Sequence, residues 1–325
     1  MSDGLAFFLE QVEAVSRRRV GCGDPPAELA ALGLLPADGA EPVWAQMSAS
    51  EWFSLMRGMA RRDPLLAAAL ASLRLASEHG ERQGTGFALH AFRDGTRWRF
   101  KLPVLGTQCE SWIFCDGQRM RRVSAALLRQ VEGDCFECDD AQTGPTDACA
   151  PSLISSLWRD RLALVSGCLW RLWTVTVEHA ESRPMFRRHL GDFPMVRLRL
   201  LILLAEVLRA DEVSERAAAA SPVAGAGLMG TLRRCSEAIR VETQQICGGT
   251  GYMRESAYAR ALTWLDWCDG LMRLGPIADG GFDDRLADEI DRCVAARLEH
   301  AGISADRGAA LLRPAAHRQL GEHAA

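Results

Sequence analysis

Apolar residues recur at helical spacing from the start of the chain: Leu5, Phe8, Leu9, Val12 and Val15 share one face and predict a short amphipathic helix. Gly21 to Pro26 interrupts it, a second helix is expected over 27–34, and Pro36 to Pro42 reads as a loop. Ser48 or Ser50 is placed to cap a helix running through Met59. Asp63, with Pro64 in the first turn, starts another that ends near Glu78. The period then changes. Residues 87–92, 98–100, 112–115 and 120–123 are short strand-like runs, broken by Asp94-Gly95 and Asp116-Gly117, dipeptides that favour hairpins. Beyond Pro151 the helical period returns over 153–182, 195–219, 228–247 and 285–300, four long segments expected to bundle. Leu200 to Leu204 is apolar on more than one face, so that helix is expected to be buried or to lie at a subunit interface.

The pattern describes a mostly α chain with a small central β-domain. Its expected divisions are an N-terminal helical domain over 1–82, a β-domain over 83–140, a polar, Gly- and Pro-containing linker over 141–151, a C-terminal four-helix bundle over 152–303 and a frayed tail over 304–325. Its 325 residues, 48% of them hydrophobic, are enough for a large core in two or three modules. A net charge of −4 with Arg and acids interspersed leaves no basic footprint for nucleic acid. Lys101 is the single lysine, a compositional bias and not a site.

Eleven cysteines, an odd number, without a secretory leader point to reduced thiols. Cys135 and Cys138 form the one Cys-x-x-Cys, with neither a second pair nor a His at zinc-ligand spacing, so no metal is expected. No stretch reaches membrane-spanning apolar length, and a cytoplasmic, membrane-free protein is expected.

Candidate chemistry concentrates late in the chain. Gln245-Ile-Cys-Gly248-Gly249-Thr-Gly251-Tyr252 packs three glycines into four positions directly after a helical run, a density that lets backbone N–H groups approach a phosphate. The bland alternative is a helix C-cap and a tight turn. Upstream, Arg183-Pro-Met-Phe186 is followed by Leu190, Phe193, Val196 and Leu198. In order and separation the two motifs resemble the acyl-CoA dehydrogenase family, most strongly over residues 150–255. The resemblance implies an acyl-CoA dehydrogenase-like fold with a shortened N-terminal helical domain, a reduced β-domain and a C-terminal bundle. It also implies FAD as cofactor, with Arg183, Phe186, Phe193, Gln245, Gly248 and Gly249 meeting the adenine and pyrophosphate of a flavin held by a neighbouring subunit.

The family's reaction centre is harder to find. A carboxylate must sit within reach of the substrate α-carbon, and the family supplies a Glu-Gly pair beyond the glycine motif. No Glu occurs here between Glu255 and Glu289. Asp269-Gly270 imitates the pair, three residues early and one methylene short. Some relatives carry the base on the first bundle helix, near Asp160, although an Asp flanked by Arg159 and Arg161 also suits a surface ion pair. Trp112 in Trp112-Ile-Phe-Cys115 matches part of a flavin-ring strand but also suits a core aromatic. Pro194 and Arg187 stand where the family has Gln and Gly.

The pattern resembles the short noncatalytic subunit of bacterial heteromeric acyl-CoA dehydrogenases of steroid catabolism, which are α2β2 assemblies. The expectation is a helper that lends adenine and pyrophosphate contacts to a homologous partner carrying the catalytic Glu and the acyl-CoA site. The alternatives are a homomeric enzyme using Asp269 or Asp160 as base, and a flavin-free scaffold.

Overall fold

The computed structural model describes residues 3–18, 25–35, 43–79, 84–102, 109–115, 119–132, 135–148, 150–220, 225, 228–253, 256–272 and 284–304. The loop expected at 36–42, the Asp116-Gly117 turn and the tail beyond 304 lie outside them. The chain divides into two compact units: Met1–Cys168 with Ala217–Ala224 and Trp264–Pro276, and Leu169–Arg216 with Gly225–Thr263 and Ile277–Ala325.

In the first unit, α1 (Asp3–Arg18) and α2 (Pro25–Ala31) precede α3 (Ala49–Arg62) and α4 (Pro64–Glu78). Of the two expected caps for α3, Ser48 is the one used. Its hydroxyl accepts from the Glu51 backbone N–H, while Glu51 reaches back to the Ser48 N–H at 2.9 Å. This reciprocal box satisfies two amides that a helix start otherwise leaves unpaired. Asp63 caps α4 by accepting from Leu66 N–H at 3.1 Å, and Pro64 sits in the first turn, where its missing N–H costs nothing. Gly58 leaves room on α3 for Leu9 of α1: a Cβ there would lie 2.6 Å from a Leu9 methyl.

Eight strands follow: β1 (Thr85–Phe87), β2 (Ala91–Asp94), β3 (Arg97–Lys101), β4 (Ser111–Cys115), β5 (Arg119–Ser124), β6 (Arg129–Glu132), β7 (Cys135–Asp139) and β8 (Gly144–Ala148). They form two sheets, ordered β1-β4-β5-β8 and β2-β3-β7-β6, with β1 and β4 the parallel pair. Phe114 of β4 meets Trp98 and Phe100 of β3 with ring centroids 4.9 and 4.8 Å apart, which fills the space between the sheets. The Asp94-Gly95 hairpin forms, with Gly95 at φ +62 and Asp94 opposite Arg97. Residues 144–148, expected to be linker, instead pair with β5 as an edge strand. An edge position tolerates Pro145, which has no N–H to give to a second neighbour. The first sheet also joins α4, because Phe87 N–H donates to the buried Ser72 hydroxyl at 2.9 Å.

The 32-residue α5 (Pro151–Ser182) begins in this unit. It passes very close to α3 at Gly167, where a Cβ would lie 2.5 Å from Ala60 Cβ and 2.6 Å from the Arg57 carbonyl. The C-terminal part of α8 (Ala257–Met272) belongs here too, with the buried Cys268 thiol 3.5 Å from that of Cys168. The sequence pattern missed α8 as a helix. Its buried residues Tyr258, Ala261, Leu265 and Cys268 do recur at helical spacing, and the Ser256 hydroxyl caps it through Ala259 N–H at 3.0 Å.

The second unit holds the rest of α5, a short hairpin of β9 (Pro184–Met185) and β10 (Arg188–His189), α6 (Pro194–Ala219), α7 (Met229–Cys247), the start of α8, and α9 (Asp284–His300). Ion pairs tie its helices together: Arg199 to Glu242 links α6 and α7, while Arg209 to Asp291 and Arg297 to Asp211 link α6 and α9. In the short turn before α6, Asp192 accepts from His189 N–H at 2.9 Å.

Candidate functional site

Both sequence motifs fall in the second unit, and the fold brings them together. Arg183, one residue past the end of α5, points its Nη1 at the turn that follows α7. It donates to Thr250 Oγ1 at 3.1 Å and lies 3.5 Å from the Cys247 carbonyl and 3.4 Å from His179 Nε2. Cys247 is the last residue of α7, so the guanidinium also faces carbonyls at the negative end of that helix, where a cation is favourable. These contacts all run through Nη1, and among the described residues no hydrogen bond from Nε or Nη2 competes for an anion. His179 stands one helical turn before Arg183. Its burial, and secondly the Arg183 charge, push its pKa below the ordinary His value and favour the neutral ring.

The glycines divide their work. Gly248 ends α7 at φ +53, and its N–H bonds the Gln244 carbonyl, as the C-cap reading expects. Around Gly248 and Gly249 a Cβ would meet nothing within 4 Å, so the backbone there is open to a ligand. Gly251 is different: a Cβ would lie 3.1 Å from both Gln244 and Tyr258, the pair joined by a 2.9 Å hydrogen bond from the Tyr258 hydroxyl to Gln244 Oε1. Gln245 is exposed and Phe193 half-buried. His179, Thr250, Gln244 and Tyr258 were missed by the sequence reading. His179 could have been found from its i, i+4 spacing to Arg183, but the Gln244–Tyr258 pair has no local signature.

Phe186 projects into solvent at 86% exposure, from the tip of the β9–β10 hairpin. Phe186 and Arg187 are its two loop residues, and both have positive φ, +48 and +69. A two-residue hairpin loop of this type demands the left-handed region twice, which is why Gly suits it and Arg does not. Arg187→Gly is expected to raise stability by about 1 kcal/mol, the left-handed strain relieved less the extra freedom of Gly in the unfolded chain. Thermal denaturation compared with the parent measures it.

The two carboxylates considered as bases fare differently. Asp160 is not on the surface, as the flanking arginines suggested, but fully buried in the first unit. Trp52 Nε1 donates to Oδ1 at 2.6 Å and Arg74 Nη2 to Oδ2 at 2.8 Å. Burial pushes its pKa up, opposed by Arg74 and Trp52, which favour the charged form. Each oxygen already accepts a hydrogen bond and the side chain has no exposed surface, so a substrate proton has no open path to it. Asp269 lies on α8, and its side chain is outside the described residues. Trp112 is 1% exposed and packs over Gly86, where a Cβ would sit 2.6 Å from its ring, so it is a core aromatic. Cys138 is buried, with its thiol pKa pushed up to about 11 by burial and by Asp139 and Asp140. Among the described residues no cluster of His, Cys, Asp or Glu is grouped to hold a metal, and no helix is long and apolar enough to cross a membrane.

Residues 152–267 match the family described as Acyl-CoA dehydrogenase, C-terminal domain. Butyryl-CoA dehydrogenase from Megasphaera elsdenii superposes with a TM-score of 0.59 at 13% identity, covering 88% of this chain and 97% of that one. The fold is acyl-CoA dehydrogenase-like. The Tcur3481-Tcur3483 steroid ACAD, in variant form, gives 0.60 at 16% identity, covering 93% and 99%. A glutaryl-CoA dehydrogenase from Mycobacterium smegmatis in complex with FADH2 gives 0.57 at 14% identity, covering 82% and 90%. No curated protein matches the sequence. Within an acyl-CoA dehydrogenase-like fold, Arg183, Thr250 and the open glycines form the one place where both sequence motifs converge.

Proposed function

We propose that this chain is a subunit of an FAD-dependent acyl-CoA dehydrogenase that contributes adenine and pyrophosphate contacts to a flavin, while a homologous partner carries the catalytic Glu. The convergence of Arg183 with the Gly248–Gly249 turn supports it most directly. The residues fit the nucleotide end of FAD. Arg183 supplies counter-charge through Nε and Nη2, the open glycines admit a phosphate, Gln245 is exposed beside them, and Phe186 presents a bare ring to adenine. When bound, the flavin takes up the hydride lost from the acyl thioester. Nothing in this chain need remove the α-proton, and Asp160 is committed to its buried ion pair.

The surface of the second unit favours a partner as well. Besides Phe186, Met195 and Leu198 on the first turns of α6 and Val241 on α7 are exposed, at 66%, 37% and 53%. Exposed apolar side chains of this kind suit a subunit interface. A heterotetramer acting on a steroid-derived acyl-CoA, in the cytoplasm, is the specific form proposed, by analogy with the steroid ACAD of the same fold.

The test is to purify the chain alone and together with a homologous acyl-CoA dehydrogenase subunit encoded beside it, and to read flavin absorbance in each. Yellow protein only with the partner is the expected result. Flavin bound by the chain alone would favour a homomeric enzyme, and colourless protein in both preparations a flavin-free scaffold. In the complex, Arg183→Ala is expected to lower flavin occupancy about tenfold, consistent with one lost charge-assisted hydrogen bond, and Arg183→Lys to recover part of it. Unchanged occupancy in Arg183→Ala removes this residue from the site.

A further inference from the structure

Two cysteines 100 positions apart meet in the core of the first unit. Cys168 of α5 and Cys268 of α8 are both free thiols with their sulfurs 3.5 Å apart, and the two residues are 1% and 0% exposed. None of the residues assigned above to the flavin takes part in this contact.

Both helices are anchored beside the thiols. Cys168 follows Gly167, where α5 lies so close to α3 that a Cβ would stand 2.6 Å from the Arg57 carbonyl. Cys268 follows Trp267, whose Nε1 donates to the Lys101 carbonyl at 3.4 Å. A disulfide bond is about 2.0 Å long, so the sulfurs have roughly 1.5 Å to travel, a distance on the scale of side-chain torsion and not of helix movement. The surroundings then select the product. About one turn from the thiols, Leu164 and Leu172 on α5 and Leu265 on α8 have no exposed surface. An uncharged disulfide suits such a place, whereas a sulfinate, the next stage of oxidation, would bury a negative charge in it. A sulfenic acid formed on one sulfur also finds the other already in contact, so ring closure is intramolecular and outpaces further oxidation.

We propose that Cys168 and Cys268 form a modification site, which hydrogen peroxide converts to a disulfide that clamps α5 to α8. One sulfur attacks the O–O bond and takes a hydroxyl, giving a sulfenic acid and a first water. The second sulfur displaces that hydroxyl as a second water and forms the S–S bond. The two thiols lose two electrons and both protons, and the peroxide takes them up as water. Hydrogen peroxide is close to water in size and reaches sulfurs that bulkier oxidants cannot. The bond closes a loop of 100 positions, which restricts the unfolded chain more than the folded one.

The test treats the full chain with hydrogen peroxide, alkylates the remaining thiols in denaturant, and digests it without reductant for mass spectrometry. A peptide pair joined through Cys168 and Cys268 and split by dithiothreitol is expected. The melting temperature of the oxidised protein should rise by about 5 °C and fall back when reductant is added. Cys168→Ala and Cys268→Ala should each abolish both the joined peptides and the reversible rise. Circular dichroism confirms that each variant is folded, and peptide mapping of the parent chain decides without them. Recovery of Cys168 and Cys268 as alkylated thiols or as sulfinic acids, at peroxide concentrations that oxidise the half-buried Cys115 and Cys135, would overturn the proposal. So would a bond from either residue to a different cysteine.

Discussion

Asp160→Ala is expected to destabilise the protein by about 3–5 kcal/mol, because it removes one partner of a buried ion pair and strands the other. Arg74 is itself almost fully buried, stacked on Trp52 and held by Asp160 and Glu78. Without Asp160 its charge faces one half-exposed carboxylate, and the Trp52 N–H loses its acceptor. Chemical denaturation should show the loss as a lower midpoint with the slope unchanged. Glu78→Gln, at the exposed end of the same network, should cost well under half as much. The double variant Asp160→Ala, Arg74→Met should cost less than the two single changes added, since it removes the stranded charge as well. A loss near zero for Asp160→Ala would mean that the carboxyl is not the hub of the network, and would reopen it as a reactive group.

Gly167→Val is expected to be nearly as damaging. The Cβ position at Gly167 is 2.6 Å from the Arg57 carbonyl and 2.9 Å from the Arg61 nitrogen, both backbone atoms of α3, and backbone cannot turn aside as a side chain can. The two helices must separate, and overpacking of this kind costs about 1–3 kcal/mol or more. Gly167→Ala should fall at the lower end of that range. The control is Gly249→Ala, where the Cβ meets open space, and little change is expected. Equal losses at the two positions would show that the helix contact tolerates separation.

Most of the architecture was legible in the sequence because local chemistry and burial pattern agreed. The Ser48 box, Asp63-Pro64 and the Asp94-Gly95 turn each determine a boundary by hydrogen bonds or by φ within a few residues. Elements whose reason is tertiary were not legible. β8 is a strand because β5 offers it an edge, whereas α8 carried a regular helical spacing of buried residues that was overlooked.

The candidate site divides in the same way. Arg183 and the glycines could be found as motifs, and so could their pairing from the family order. The partners that hold them could not: Thr250 for Arg183, and Gln244 with Tyr258 for Gly251. Asp160 shows the limit most clearly. Two flanking arginines suggested a surface pair, but its actual partners, Trp52 and Arg74, lie 108 and 86 positions away.

The hairpin tip has a consequence for association. Phe186 sits in a two-residue bend whose backbone is already committed to an uncommon conformation, so its ring is held outward before any companion arrives. A binding surface that meets it finds a rigid aromatic peg, and little loop entropy remains to be lost on contact. Arg187→Gly suits the same bend, so it should make the folded chain more robust while leaving the ring presented outward.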